Sequence, residues 1–211
     1  MRKFVMMGVQ GSGKGTQSKM LCDHCGFKHI STGDMFRDEI KNQTPNAQTI
    51  SNLINKGNLV PDHIVEDIIL KRLNQSDCSQ GYILDGFPRN AHQAQFFIDN
   101  FDIDAVIVLE IPDHIVIKRI LSRRLCSNCK RDYNIDYRPP KVQGICDDCG
   151  CKLIQREDDY EEAAQKRIAE YHASTSPAIE LLAQKHPIQR FDATQDSKVV
   201  QQQIRTRFNL I

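Results

Sequence analysis

The chain has 211 residues, enough for one substantial core with room for small insertions. Its 28 Lys and Arg against 27 Asp and Glu leave a net charge of +1, which argues against a general nucleic-acid or membrane-surface binder, and no apolar stretch approaches a membrane span. Eight cysteines without a secretion signal point to a reducing, cytoplasmic compartment and to metal ligation, not to a disulfide framework.

The first element is the apolar run Phe4-Val5-Met6-Met7, which leads into Gly8-Val-Gln-Gly-Ser-Gly-Lys-Gly-Thr16. A strand, a Gly-rich loop, a Lys and a helix in that order read as a phosphate loop. Its backbone N–H groups form a nest for phosphate at the positive end of the following helix, and Lys14 adds an ammonium for the outer phosphates. A plain Gly-rich turn is the alternative reading. The general pattern asks for Ser or Thr directly after the Lys; here that residue is Gly15 and Thr16 follows. The spacing predicts helices over 14–24, 62–74, 113–125, 160–184 and 196–208. Strands are predicted at 28–30, 82–84, 105–109 and 188–191. Strands alternating with helices imply an α/β, doubly wound, five-stranded parallel sheet. Two stretches break the alternation: 31–60, polar and helical, and 123–159, which holds Pro139-Pro140 and most of the cysteines.

Within the second stretch, Cys126-x2-Cys129 and Cys146-x2-Cys149 are separated by sixteen residues, a spacing suited to a four-thiolate zinc site with a small hairpin between two knuckles. Cys151 would need a looser chelate across Gly150, so it is expected to be a spare thiol. Cys22-Asp-His-Cys25 has no second pair nearby and falls at the end of the first helix, where a structural role is expected.

Taken together the pattern resembles the adenylate kinases over essentially the whole length. The residues that carry the likeness are Gly8 to Gln17, Ser31 to Arg37 (STGDMFR), Gly57 to Asp62 (GNLVPD), Asp85 to Arg89 (DGFPR) with Gln93, Arg119, Arg123 and Arg124, the cysteine quartet, Arg156 to Asp159 (REDD), and Arg167. The resemblance implies a CORE with the P-loop over 1–30, 61–122 and 160–211, a nucleoside-monophosphate-binding insert over 31–60, and a zinc-binding LID over 123–159. It implies MgATP + AMP ⇌ 2 ADP, with Mg²⁺ and a structural Zn²⁺ as metals and ATP, AMP and ADP as the only partners. A monomer is expected, with no nucleic acid and no membrane.

The same resemblance assigns the site. ATP falls to Gly11, Ser12, Gly13, Lys14, Gly15, Thr16, Arg119, Arg123, Asp132, Tyr133 and Gln195. AMP falls to Thr32, Arg37, Asn58, Leu59, Val60, Gly86, Phe87, Pro88, Arg89, Gln93, Arg156 and Arg167. The zinc ligands are Cys126, Cys129, Cys146 and Cys149, and the chemistry rests on Lys14, Asp85, Arg89, Arg123, Arg156 and Arg167. The residue types make sense of the roles. Guanidinium forks match phosphate oxygens, a carboxylate at Asp85 suits a Mg²⁺ shell through water, and the Gln93 amide can both donate to and accept from an adenine edge. Asp158 and Asp159 either orient the LID arginines or form an acidic helix start. The family usually has Pro where this chain has Gln10 in the loop. The alternatives are a UMP/CMP kinase or GTP-using AMP kinase of the same fold and, from another class, a zinc-ribbon nucleic-acid-binding NTPase. The last would want a basic face with interleaved aromatics, whereas residues 123–159 balance eight Lys and Arg against seven Asp and Glu.

Overall fold

The computed structural model describes residues 2–210. Five short apolar segments, β1 (Lys3–Met7), β2 (Lys28–Ser31), β3 (Tyr82–Asp85), β4 (Ala105–Glu110) and β8 (Ile188–Asp192), form one parallel sheet in the order β2-β3-β1-β4-β8. The inner strands β1, β3 and β4 are largely apolar on both faces because both are covered, whereas the edge strands β2 and β8 carry polar residues such as His29 and Arg190. Val5, Met7, Leu84, Val106 and Val108 pack toward α4 (Asp62–Leu73), α5 (Ala91–Asn100) and α8 (Ser176–Leu182). Phe4, Met6, Ile83, Ile107 and Leu109 pack toward α1 (Lys14–Cys25) and α9 (Ser197–Phe208). The one-residue alternation along β1 thus sends successive side chains into two cores.

The two stretches that break the alternation both rise from the carboxyl edge of this sheet. The first carries α2 (Thr32–Lys41), capped by Ser31, whose Oγ accepts from the Asp34 N–H, and α3 (Ala47–Asn55). The second carries a small antiparallel sheet of β5 (Arg123–Cys126), β6 (Asp132–Asn134) and β7 (Leu153–Ile154).

Two expectations need correction, and one helix was not predicted. The helix predicted over 113–125 ends early: α6 is Asp113–Leu121, and Arg123 opens β5. Its last turn loses to long-range pairing. Asn134 Nδ2 donates to the Arg119 carbonyl, the Ser122 carbonyl accepts from the Ile135 N–H, and Arg124 pairs with Tyr133 across the strands. The helix predicted over 160–184 is α7 (Glu161–Glu170), a π turn over Tyr171–Thr175, then α8. Pro177, the second residue of α8, has no N–H to return to the turn, which favours the shifted hydrogen-bond register there. Helix α5 was not anticipated, although Asn90 marks its start by accepting the Gln93 N–H at 2.8 Å. Its larger apolar residues Phe96, Phe97 and Ile98 run consecutively and show no helical period.

Candidate active site

A cleft of 740 Å³ opens where β1 ends between its neighbours β3 and β4, the position at which an open α/β sheet presents its switch point. Its floor is the loop from Gly8 to Thr16. Gly8 has φ 139°, and a Cβ there would stand 2.6 Å from the Leu109 carbonyl oxygen, so only glycine lets the chain turn this close to β4. The same holds at Gly86, just past β3, where φ is 87° and a Cβ would meet Thr32 Oγ1 at 2.6 Å.

Lysine and arginine side chains crowd the wall, and most of them are held by a specific partner. Lys14 Nζ folds back to donate to the carbonyls of Gly8 (2.7 Å) and Val9 (3.0 Å). Burial, reinforced by the nearby guanidinium groups of Arg89 and Arg123 against the opposing pull of Asp85, lowers its pKa to about 8. Arg89 donates from Nε to the Gly86 carbonyl at 2.7 Å, and burial holds its pKa below the ordinary value. Arg37 pairs with Asp34 one turn earlier in α2. Arg123 grips Asp159 with Nε at 2.8 Å and a second, shorter contact from its terminal nitrogen. Burial works against that charge, and Asp159 more than offsets it. Arg167 binds Asp158 and reaches across to the carbonyl of Ile54 at 2.9 Å. Asp158 and Asp159 therefore orient arginines, and α7 begins beyond them at Glu161. Arg156 has only a loose contact with Asp132, 3.7 Å, and its buried Nε has no hydrogen-bond partner. Arg156 also lines the cleft, so its charge faces the same space as the other arginines.

Asp85 ends β3 with its carboxylate facing Gly15, at 3.7 Å from where a Cβ would be, and His29 Nε2 at 3.5 Å. Carboxylate and hydroxyl oxygens at Asp85 and Thr16 are the hard donors that Mg²⁺ prefers. Beside the cleft lies a cavity of 20 Å³ between α2, α3 and the turn after β3, with Thr32, Val60 and Gln93 on its wall. Asn58, Leu59, Gly86 and Arg89 line both spaces. Phe87 lines neither: it is fully buried in the core, and its peptide bond to Pro88 is cis. Pro88, Arg119 and Gln195 reach the cleft. Arg119 also lies over the ring of Tyr137, 5.5 Å from its centroid. Tyr133 borders the cleft too, but its hydroxyl turns toward Cys146 Sγ at 3.4 Å.

That contact belongs to the cysteine cluster. The sulfurs of Cys126, Cys129, Cys146 and Cys149 all lie within 4.8 Å of one another, with Cys126–Cys149 at 3.4 Å and Cys129–Cys146 at 3.5 Å. Tetrahedral zinc with bonds of about 2.3 Å puts its sulfurs about 3.8 Å apart, so the set fits the metal. The Tyr133 hydroxyl holds the Cys146 thiol below its ordinary range, at about 6, while at Cys129 a backbone hydrogen bond from Arg131 is outweighed by desolvation and the neighbouring sulfurs, which push that thiol up to about 12. Gly150, at φ 70°, carries the chain away from the second knuckle; the Cys151 carbonyl accepts the Cys146 N–H and its own N–H donates to the Cys149 sulfur, while its thiol lies outside the quartet.

A family model described as "Adenylate kinase" matches residues 6–186. The chain belongs to the adenylate kinase family. It is 43% identical over 198 residues to the adenylate kinase of Lachnospira eligens, covering 92% of this chain and 93% of that one. It is 44% identical over 188 residues to that of Caldicellulosiruptor saccharolyticus (87% of each), and 40% identical over 200 residues to that of Thermotoga maritima (92% and 91%). No helix among the described residues is long and apolar enough to cross a membrane.

Against this adenylate kinase fold, sequence reasoning missed several residues that shape the cleft. Thr175, in the π turn, donates to the Arg89 carbonyl at 2.8 Å, while Tyr171 of the same turn lines the cleft. Asp62 accepts from both Asn90 Nδ2 (2.8 Å) and Gln93 Nε2 (2.7 Å). The available signals were the Ser176-Pro177 step, which a helix accommodates only with an adjustment, and a carboxylate at the first position of α4.

The depressed pKa of Lys14 gives a pH signature. Phosphates favour the ammonium form, so ATP should pull the value back toward 10.5. Between pH 8 and 10 binding then draws a proton from solvent, about 0.7 per site at pH 8.5. Calorimetry in two buffers of different ionisation enthalpy measures this uptake, and Lys14→Met should abolish it. No uptake in the wild type would contradict the position given to Lys14.

Proposed function

We propose that this protein catalyses MgATP + AMP ⇌ 2 ADP, with its boundaries at 31–60 for the AMP-binding insert and 123–159 for the LID. The observation that carries the reading is the convergence of Lys14 with Arg37, Arg89, Arg119, Arg123, Arg156 and Arg167 on one cleft between a phosphate loop and a small, mostly apolar cavity. Two polyanions meeting end to end need that much positive charge.

Derived from these residues, the chemistry is positional. The loop amides and Lys14 hold the ATP phosphates, with Arg119 and Gln195 at the base end. Arg37 and Arg89 clamp the AMP phosphate, with Arg156 and Arg167 beside them. A phosphate oxygen of AMP attacks the γ-phosphorus in line; the bond from that phosphorus to the β,γ-bridging oxygen breaks, and the electron pair leaves with ADP. No covalent enzyme intermediate is needed. Arg123 and Arg156 stabilise the charge on the transferring group. Magnesium, arriving with ATP, would be met by Asp85 and Thr16 and supplies charge neutralisation. The 20 Å³ cavity has room for about one water, so a base entering between Thr32 and Gln93 must move α2 and α3 outward.

The test is a coupled assay with ATP and each of AMP, UMP, CMP and GMP, then AMP with GTP as donor, beside a binding assay on single-stranded DNA. AMP with ATP should be the best pair by at least tenfold, and DNA should not bind. Preference for a pyrimidine acceptor would replace this reading with the UMP/CMP kinase one.

Zinc is the metal we propose for the thiolate cluster, as a closed structural site, since four protein ligands leave no position for water or substrate. Zinc content should stay near one per chain in Cys151→Ser and become labile in Cys149→Ser, with a lower melting temperature in the second variant alone. The reverse pattern would reassign the fourth ligand. A reducing, cytoplasmic compartment suits a chain that gathers four of its eight cysteines in one thiol cluster.

A further inference from the structure

Gln93 is almost fully buried, 2% exposed, and lines the small cavity. Its amide has two fixed partners. The backbone N–H of Arg89 donates to Oε1 at 2.9 Å, and Nε2 donates to Asp62 Oδ1 at 2.7 Å. Neither partner can reverse its role: a backbone N–H only donates, and a carboxylate only accepts. Turning the amide over would set two donors face to face at Arg89 and two acceptors face to face at Asp62. An amide ordinarily offers two donor hydrogens and two acceptor lone pairs, so one N–H and one lone pair remain for a ligand, in a fixed sense. Asp62 is itself held, accepting from Asn90 Nδ2 at 2.8 Å at the start of α4.

We infer that Asp62 is a specificity-determining positioning residue: by fixing which way round the Gln93 amide sits, it selects an adenine base over a 6-oxopurine. This rests on AMP being the acceptor. Adenine presents a donor at its 6-amino group and an acceptor at N1. Hypoxanthine presents the opposite pair, an acceptor at O6 and a donor at N1. A freely turning Gln would serve both bases equally well; a locked one serves one sense. Asp62 touches the base only through Gln93, so its replacement should change selectivity and leave the phosphate-binding residues in place.

The experiment compares kcat and KM for AMP and for inosine monophosphate in the wild type, Asp62→Asn and Asp62→Ala, each checked by thermal melting. In Asp62→Asn the introduced amide nitrogen could donate to a reversed Gln93, and in Asp62→Ala only the Arg89 N–H still opposes one. Both variants should therefore lower the AMP-to-IMP ratio of kcat/KM by about tenfold, the worth of one well-made polar pair to a base. Part of that change should be an absolute gain in kcat/KM for IMP, which structural damage alone would not produce. Values for AMP and IMP that fall in parallel, or a ratio within twofold of wild type in both variants, would overturn the inference while leaving the kinase reading intact. A wild type that does not phosphorylate AMP would fail that reading itself, before any variant is compared.

Discussion

Lys14→Met should lose phosphoryl transfer by on the order of a thousandfold, the size of effect seen when one preorganised charge or donor is removed from a transition state. Its Nζ lies on the floor of the cleft, held by the carbonyls of Gly8 and Val9 until phosphate replaces them. The melting temperature should stay within a few degrees of the wild type. The folded pKa of about 8 lies below the ordinary 10.5, so folding disfavours the charged form. That penalty is complete below pH 8 and fades as pH rises toward 10.5, because only there does the unfolded chain bind the extra proton. At pH 7 methionine removes the penalty and offsets the two lost hydrogen bonds. Turnover and melting measured on the same samples check both halves. Near-normal turnover would remove this loop from the reaction.

Arg123→Ala should be costly twice over. Turnover should fall by about a hundredfold to a thousandfold, as for loss of a donor aimed at developing charge. Stability should fall as well, since the Asp159 side chain is 0% exposed and would be left as an unpaired buried carboxylate, a defect worth about 3–5 kcal/mol. Adding Asp159→Asn in the Arg123→Ala background separates the two effects. The neutral amide should restore most of the melting temperature and none of the turnover. If the double variant regained activity, Arg123 would have only an architectural role.

Much of the fold was legible because its signals are local. The run from Phe4 to Thr16 determines a strand, a tight loop and a helix start through apolar residues, glycines and one lysine in fixed order. The parallel sheet follows from short apolar segments that can only be buried on both faces. The clustering of Cys126, Cys129, Cys146 and Cys149 follows from two equal spacings, since a knuckle is made by neighbours in the chain.

Other features were decided by groups far apart in sequence. The end of α6 at Leu121 depends on Asn134 taking the Arg119 carbonyl, and nothing in 113–125 alone announces it. Asp158 and Asp159 read equally well as a helix start until Arg123 and Arg167 are seen to hold them. Tyr133 supports the thiolates through a hydroxyl whose direction the sequence does not encode. Gln93 could be read from the chain as an amide able to donate and accept. Which way it does so is set by Asp62, thirty-one residues earlier, and by the Arg89 N–H. Residue type and spacing determine which chemistry a segment can offer. The tertiary structure decides which partners remain free, because burial forces each polar group to choose one.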